Sequence, residues 1–186
     1  MIVFLMYIPA NNASTKVYLD QDSFLTLIKS LEPHKGEVQF QTKTLWLDKY
    51  TQGKIKKILN HNYPRLRLRY KINTGIPPNS DLTTVWFLDE IGKERPISFG
   101  IAVKNDKVQL IRVLEFRESR GFEIKNSAFT KQFEHVGLDG DGKLDQSIDG
   151  ITGATMSVRA MKKISRIALF LHKKIISEAN SNKNTQ

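Results

Sequence analysis

The stretch Ile97–Phe116, which reads ISFGIAVKNDKVQLIRVLEF, decides the fold of this chain. It holds two mostly apolar runs, Ile97–Val103 and Val108–Phe116, and these flank the polar pair Asn105 and Asp106. Asn and Asp tolerate the left-handed backbone conformations that a tight hairpin turn needs. The stretch therefore predicts two antiparallel strands joined by a short turn.

Further strands are predicted on the N-terminal side of this hairpin. Thr83–Asp89 has strand composition, and Glu37–Leu47 alternates loosely between apolar and polar residues. Between them, strict alternation predicts a strand with one apolar and one cationic face. The apolar residues are Leu66, Leu68, Tyr70 and Ile72, and the cationic residues are Arg65, Arg67, Arg69 and Lys71. Sequential strands with short connections predict an antiparallel sheet.

Four segments have the spacing of apolar residues that is typical of amphipathic helices. The strongest is Val158–Ala179, and the weaker three are Asp22–Leu31, Lys49–Asn60 and Asn126–His135. Predicted loops cover Asn73–Ser80 and Gly137–Gly153. These elements together predict an α+β fold, in which helices pack against an antiparallel sheet.

The chain divides into four parts by composition. Residues 1–14 contain the apolar run Ile2–Ile8, followed by Pro9 and small polar residues, as at the core and end of a secretory signal. No Lys or Arg precedes the run, so a short first strand or a frayed terminus stays an alternative. Residues 15–64 are predicted as a helix and strand extension, 65–179 as the main domain, and 180–186 as a disordered tail.

Composition excludes several classes of protein. The 186 residues carry 29 Lys and Arg against 19 Asp and Glu, a formal charge of +10, and this length suits one domain. No apolar run reaches the roughly 20 residues of a membrane-spanning helix. With no cysteine, disulfides, thiolate metal sites and thiol catalysis are excluded. The four histidines lie far apart, so no metal site and no catalytic residue is predicted.

Two familiar motifs fail within the glycine- and aspartate-rich loop. In an EF-hand frame that begins at Asp139, the sixth position is Leu144 and the twelfth is Gly150, where a calcium loop needs Gly and Glu. The run also resembles a P-loop, but Leu144 replaces the Ser or Thr that meets Mg²⁺. An irregular ion site formed by the clustered carboxylates stays open.

The run Asp149–Ser157, DGITGATMS, leads directly into the strongest predicted helix. One interpretation is a turn at Gly150 and Gly153 with Thr155 or Ser157 as the helix cap. The other is an anion site, because the first helical N–H groups are free donors and the helix dipole adds about half a positive charge there. The residues alone leave both interpretations open.

The run Asp149–Thr155 matches the pattern D-x-x-[ST]-G-A-T and resembles the flavinylation motif of the FMN-binding domain family. That family includes covalent flavoprotein subunits of the sodium-pumping NADH:quinone reductase and of Rnf complexes. Its last threonine, here Thr155, carries FMN through a phosphoester, attached by a flavin transferase that uses FAD and Mg²⁺. The resemblance extends from about Ile97 to about His172, which implies that residues 65–179 are the FMN-binding domain.

The resemblance implies a set of residues around the cofactor. Asp149 is expected to help recognition or metal positioning during attachment, and Thr152 and Ser157 to bind the phosphate. A Glu-x-x-Gly element matches at Glu118 and Gly121, with a solvated charge and a turn as the alternative. The full set is Thr155, Asp149, Gly150, Thr152, Gly153, Ala154, Met156, Ser157, Glu118, Arg120 and Gly121.

The function implied by the resemblance is electron relay rather than substrate turnover. The expected protein carries covalent FMN, passes electrons between redox partners that include membrane-bound ones, and lies on the extracytoplasmic side, in the periplasm or at the membrane. The cytoplasm is the alternative location. Two alternative functions stay open: a sensor or reductase that binds FMN non-covalently, and a cationic binding module without flavin.

The cationic strand face invites a nucleic-acid interpretation. No nucleic-acid partner is expected, however, because few aromatic residues lie among the charges. A solvated face is the simplest explanation, and docking onto anionic lipid or an acidic redox partner stays open.

Overall fold

A computed structural model describes residues 14–32, 38–74 and 82–183. Within these ranges, six strands form one antiparallel sheet with helices packed on it, so the predicted α+β fold is confirmed. The strands are β1 (Lys16–Val17), β2 (Gln39–Trp46), β3 (Arg67–Thr74), β4 (Thr83–Ile91), β5 (Pro96–Lys104) and β6 (Lys107–Phe116). Their order across the sheet is β1-β6-β5-β4-β3-β2.

Four α-helices accompany this sheet in the described ranges. They are α1 (Gln21–Leu31), α2 (Lys49–Leu59), α3 (Ser127–Thr130) and α4 (Thr155–Lys183). The long helix α4 packs on β4 and β5, and α1 packs on β5 and β6 from the opposite face. Burial of β5 between the two helices explains its nearly continuous apolar sequence.

The β5–β6 hairpin forms as its sequence predicts. Asn105 and Asp106 make the turn with φ angles of 52° and 56°, the left-handed backbone that short hairpin connections require. The strands stay paired from Lys104 opposite Lys107 to Ile97 opposite Phe116. This hairpin supplies the centre of the core.

The alternation predicted for residues 65–72 is confirmed within β3. Leu68, Tyr70 and Ile72 are buried, whereas Arg67 and Arg69 are exposed. Leu66 departs from the pattern, because it precedes the strand and is 66 % exposed. The sequence pattern predicted the buried face of the strand correctly, but it placed the start of the strand too early.

The boundaries of three predicted elements change. Helix α4 begins at Thr155 rather than Val158 and continues to Lys183, into the segment predicted as a disordered tail. Residues 73–74, predicted as loop, belong to β3, and residues 75–80 of that loop lie outside the described residues. The segment 126–135 forms α3 and a short 3-10 helix, Lys131–Phe133, instead of one helix.

Residues 15–64, predicted as an extension, contribute α1, α2 and both outer strands of the sheet. β2 pairs with β3 along its whole length, and β1 pairs with the end of β6. The predicted signal-like segment lies outside the described residues, except for Ser14. Among the helices that the structure describes, none has the length and apolar character to cross a membrane.

Candidate functional site: a pocket at the start of helix α4

A tight turn over residues 151–154 leads directly into α4. Gly153 has a φ of +84°, which glycine adopts without steric cost, and Ala154 N donates a hydrogen bond to Ile151 O over 3.0 Å. The first helical hydrogen bond runs from Val158 N to Ala154 O at 3.0 Å, which makes Ala154 the N-cap residue. The interpretation of Thr155 or Ser157 as the cap is therefore wrong.

The N-terminus of α4 keeps free hydrogen-bond donors. Ala154 has no side-chain oxygen with which to cap the helix. Within the part of the chain that the structure describes, no group accepts a hydrogen bond from the backbone N–H of Thr155, Met156 or Ser157. These donors, together with the positive end of the helix dipole, suit an anionic group.

A cavity of about 500 Å³ lies at these donors. This volume is within the range of about 300–1,000 Å³ that is typical of small-molecule sites. Its lining residues are Lys93, Glu118, Ser119, Arg120, Gly153, Ala154, Thr155, Met156 and Ser157. The cavity thus brings together the motif of residues 149–157 and the Glu-x-x-Gly element, which lie apart in the sequence.

Gly121 allows these two segments to pack closely against each other. It has a φ of +88°, and a Cβ added there would lie 2.4 Å from Ser157 Oγ and 3.5 Å from Ala154 Cα. Only a residue without a side chain permits this approach. The glycine of the Glu-x-x-Gly element therefore allows the first turn of α4 to pack close to this segment.

Glu118 is buried, and its carboxylate holds the β4–β5 turn. Oε1 accepts hydrogen bonds from the backbone N–H groups of Lys93, Glu94 and Arg95 at 2.5, 2.6 and 2.9 Å. Gly92 makes room for this carboxylate, since a Cβ there would lie 2.8 Å from Glu118 Oε1. Glu118 is thus a positioning residue for the turn that carries Lys93, and not the solvated charge of the alternative interpretation.

Two cationic side chains line the pocket. Arg120 was predicted as a site residue, whereas Lys93 was missed because it comes from the distant β4–β5 turn. No local sequence signal marks Lys93, since its position depends on the buried Glu118. Lys93 Nζ also lies 3.5 Å from Glu94 Oε1, so the positive charge at the pocket comes from Arg120, the helix N-terminus and a partly compensated Lys93.

Four predicted site residues lie outside the lining of this pocket: the buried Gly121 and three residues of the segment 149–152. Asp149, Gly150 and Thr152 are exposed on the approach to α4, and Asp149 N donates to Gln132 Oε1 at 2.8 Å. The Asp149 side chain has no hydrogen-bond partner within the described ranges. The three exposed residues are therefore accessible to a second protein.

The aspartate-rich loop is closed by its own hydrogen bonds. Asp139 Oδ1 accepts from the N–H groups of Asp141 and Lys143 at 2.9 and 2.8 Å. Asp145 accepts from Gly137 N at 2.8 Å and pairs with Lys107. Among the described residues, no group of three or more acidic, His or Cys side chains could hold a metal ion.

A second polar cluster lies under α4, where Thr84 and His172 are buried and Asp106 is exposed. Thr84 Oγ1 accepts a hydrogen bond from Trp86 Nε1 at 2.9 Å and lies 2.8 Å from His172 Nδ1. His172 Nε2 lies 3.9 Å from Asp106 Oδ1. This order resembles a hydrolytic triad, but Thr84 is fully buried and reaches no substrate. Burial lowers the pKa of His172 to about 4, so it is neutral at pH 7.

Fold and pocket together define a small α+β domain with a pocket at the start of its last helix, where free N–H donors suit an anionic group. Residues 92–169, from the β4–β5 turn to the first half of α4, match the family model of the FMN-binding domain. This segment is therefore assigned to the FMN-binding domain family, which implies FMN as the cofactor. Comparison with curated proteins and with solved structures gave no significant match.

Proposed function

We propose that this protein is an electron-transfer flavoprotein in which a phosphoester joins FMN to Thr155. The observation that carries the proposal is the position of Thr155. It is the first residue of α4, its side chain is exposed, and it lines the pocket beside free N–H donors and Arg120. A hydroxyl at this place can reach both a modifying enzyme and a bound phosphate.

The attachment chemistry needs only an accessible hydroxyl from this chain. Thr155 Oγ forms a bond to the FMN phosphorus of FAD, the pyrophosphate bond breaks, AMP leaves, and the hydroxyl proton is released. The flavin transferase supplies the FAD and Mg²⁺ sites. The small side chains of Gly153 and Ala154 leave the approach to Thr155 open, and the free carboxylate of Asp149 is available for recognition.

Once attached, the phosphate has partners in the chain itself. The N–H groups of Met156 and Ser157 can donate to its oxygens, and charge-assisted hydrogen bonds of this kind are strong. Lys93 and Arg120 add positive charge from two other segments. These contacts would hold the phosphate end of the cofactor.

The surroundings of the pocket suit electron relay. The flavin supplies one- and two-electron chemistry, whose potential is set by nearby charge and hydrogen bonds. Exposed apolar surface for a ring is present in Met156 and in Phe122, which are 42 % and 40 % exposed. The carboxylate that lines the pocket, Glu118, already binds three backbone N–H groups, which supports relay over acid–base turnover.

Intact-mass analysis tests the proposal. The chain is co-expressed with a flavin transferase, and the wild-type protein is expected to gain the mass of one FMN phosphoryl group. Thr155→Ala is expected to lose it, whereas Thr44→Ala, which changes an exposed threonine on β2, is expected to keep it. Yellow colour that is released on denaturation, or FMN that stays attached in Thr155→Ala, would contradict the covalent link.

The proposal places the protein outside the cytoplasm, where it passes electrons between partner proteins. Support comes from the apolar run Ile2–Ile8 and from the family resemblance of the flavinylation motif. Cell fractionation with sequencing of the mature N-terminus tests the location. A full-length protein recovered from the cytoplasm would contradict it.

A further inference from the structure

A cationic patch lies on the sheet face that α1 occupies. Lys71 is paired with Val85, which packs against α1, so alternation puts Arg67 and Arg69 on the same face. A concavity of about 710 Å³ lies there. We name it the arginine face and define it by Trp46, Arg65, Leu66, Arg67, Arg69 and Phe87, which contribute to its lining.

The charges of the arginine face are mostly uncompensated. In residues 14–32, 38–74 and 82–183, no carboxylate lies within ion-pair distance of Arg67 or Arg69. Arg65 lies 3.5 Å from Asp89, and both side chains are about half exposed. The Arg67 guanidinium lies 5.8 Å from the centre of the Trp46 ring, which holds it in place and keeps its hydrogen-bond donors available.

Large apolar side chains stand beside these arginines in solvent. Trp46 and Leu66 are each 66 % exposed. Trp and Arg are the residues that most often dominate the energy of protein–protein interfaces, where the aromatic ring fills a pocket of the partner. An exposed indole beside arginines is therefore typical of a docking surface.

The arginine face is connected to the cofactor pocket at the same end of the sheet. Arg65 pairs with Asp89, Asp89 Oδ1 accepts from Ser98 Oγ at 2.6 Å, and Arg117 Nη1 donates to Ser98 Oγ at 3.0 Å. The next residue along the chain is Glu118, which lines the pocket. A partner on the arginine face therefore sits at the end of the sheet that carries FMN.

We propose that the arginine face docks an acidic redox partner protein through carboxylates that pair with Arg67 and Arg69 and an apolar pocket that takes Trp46. The redox character of this partner rests on the proposed function, whereas the docking chemistry does not. Arginine presents a planar fork that binds a carboxylate through two hydrogen bonds. The chain's charge of +10 would also accelerate encounter with such a partner.

Two other polyanions fit this surface less well. A single-stranded nucleic acid needs a series of aromatic platforms, and here only Trp46 presents an open ring, since Phe87 is half-buried. A lipid surface is flat, whereas the arginine face is concave. Both serve as probes in the test.

The test measures binding of a plant-type ferredoxin, a small acidic iron–sulfur protein, to the full-length chain. Binding is expected at about 0.01 M salt and to weaken strongly at about 0.15 M salt. The double variant Arg67→Glu with Arg69→Glu is expected to bind about tenfold more weakly or worse. Trp46→Ser, which keeps the charge, is expected to weaken binding about fivefold.

A matched control separates the surface from net charge. Lys56→Glu with Lys131→Glu makes the same charge change at exposed positions elsewhere and is expected to change binding less than about twofold. Trp46 and Trp86 are the two tryptophans, and Trp86 is fully buried, so acrylamide quenching reports Trp46 directly. Ferredoxin is expected to protect Trp46 from acrylamide.

Three results would overturn the docking proposal. The first is that ferredoxin does not bind at low salt, and the second is that both double variants lose ferredoxin binding equally. The third is that a thymidine oligonucleotide or phosphatidylglycerol vesicles protect Trp46 from acrylamide but ferredoxin does not. Each binding measurement is made with and without flavin transferase co-expression. Binding that survives without FMN supports the surface even where the covalent link fails, so the two proposals fail separately.

Discussion

Two glycine- and aspartate-rich segments lie close together in this chain, and they behave in opposite ways. In residues 137–145, the carboxylates of Asp139 and Asp145 accept hydrogen bonds from the backbone of their own loop. In residues 149–157, the Asp149 side chain and the first N–H groups of α4 have no partner within the described ranges.

The difference teaches how to separate a structural loop from a binding segment of similar composition. A loop whose polar groups satisfy each other has no hydrogen bonds left for a ligand. A helix start without a cap keeps donors that a phosphate can satisfy. The composition of residues 137–145 suggests a binding site. The hydrogen bonds instead leave polar groups available for a ligand in residues 149–157.

The largest effect is expected from Gly121→Ala, because Gly121 packs against Ser157 in the binding segment. The new Cβ would lie 2.4 Å from Ser157 Oγ at a φ of +88°, so the backbone is strained and Ser157 must change its rotamer or move away. Strain and overpacking are expected to cost about 2–4 kcal/mol of unfolding free energy. Urea unfolding measures this cost, and FMN content is expected to fall.

The control is Gly140→Ala, in the structural loop. No atom lies within 4 Å of a Cβ added there, and its φ is not positive. Its stability and FMN content are expected to match those of the wild type. An equal loss of stability and FMN content in both variants would contradict the distinction between a structural loop and a binding segment.

Lowering the pH provides a second test, because the stability of the fold and the attachment of the cofactor are expected to respond differently to acid. The pKa of buried His172 is lowered from 6.5 to about 4, so the unfolded state binds the proton first as the pH falls. Stability present at pH 7 is therefore lost from about pH 6.5 downward, by about 3 kcal/mol at pH 4. Denaturant unfolding of wild type and His172→Gln between these pH values measures it.

His172→Gln removes the titrating group and is expected to flatten this part of the pH profile, with a separate cost of about 1 kcal/mol for the altered bond to Thr84. Covalent FMN is expected to stay attached throughout. An identical pH slope in both proteins would show that His172 does not control acid stability.

Asp145→Ala tests the structural loop directly. It leaves Gly137 N and Lys107 without their carboxylate, and the expected cost is about 1 kcal/mol of unfolding free energy. FMN content is expected to be unchanged, because the loop does not line the pocket. Thermal unfolding and the flavin-to-protein absorbance ratio measure the two effects, and a loss of flavin would break the comparison.

Asp149→Asn is the reciprocal change and has the smallest expected effect on stability. Its side chain is exposed and without a partner in the described ranges, so unfolding free energy should shift by less than about 0.5 kcal/mol. Under the proposed function, covalent FMN content is expected to fall sharply, because the transferase would lose the carboxylate that we propose for recognition. Intact-mass analysis measures the modified fraction, and full modification would argue against that role.

Much of the fold followed from local sequence patterns. The β5–β6 hairpin was predictable from Asn105 and Asp106, and β3 from its alternation of Arg and apolar residues. Predictions failed at the ends of elements. β1 is two residues long and leaves no periodic signal, and α4 extends beyond its apolar stripe at both ends.

The candidate site was predictable only where it is continuous in sequence. The motif of residues 149–157 marked Thr155, and the structure places it at an open helix start. Lys93 left no signal, because a buried carboxylate of Glu118 fixes its turn. The exposed Trp46 left none either, since exposure depends on which face α1 covers.

The sequence by itself determined the hairpin, the amphipathic helices and the motif of residues 149–157, because each depends on neighbours within a few residues. The tertiary structure alone decided that Gly121 packs on Ser157 and that Glu118 holds the turn that carries Lys93. Such contacts join residues that are distant in the chain, and they form only where close packing leaves space for one arrangement.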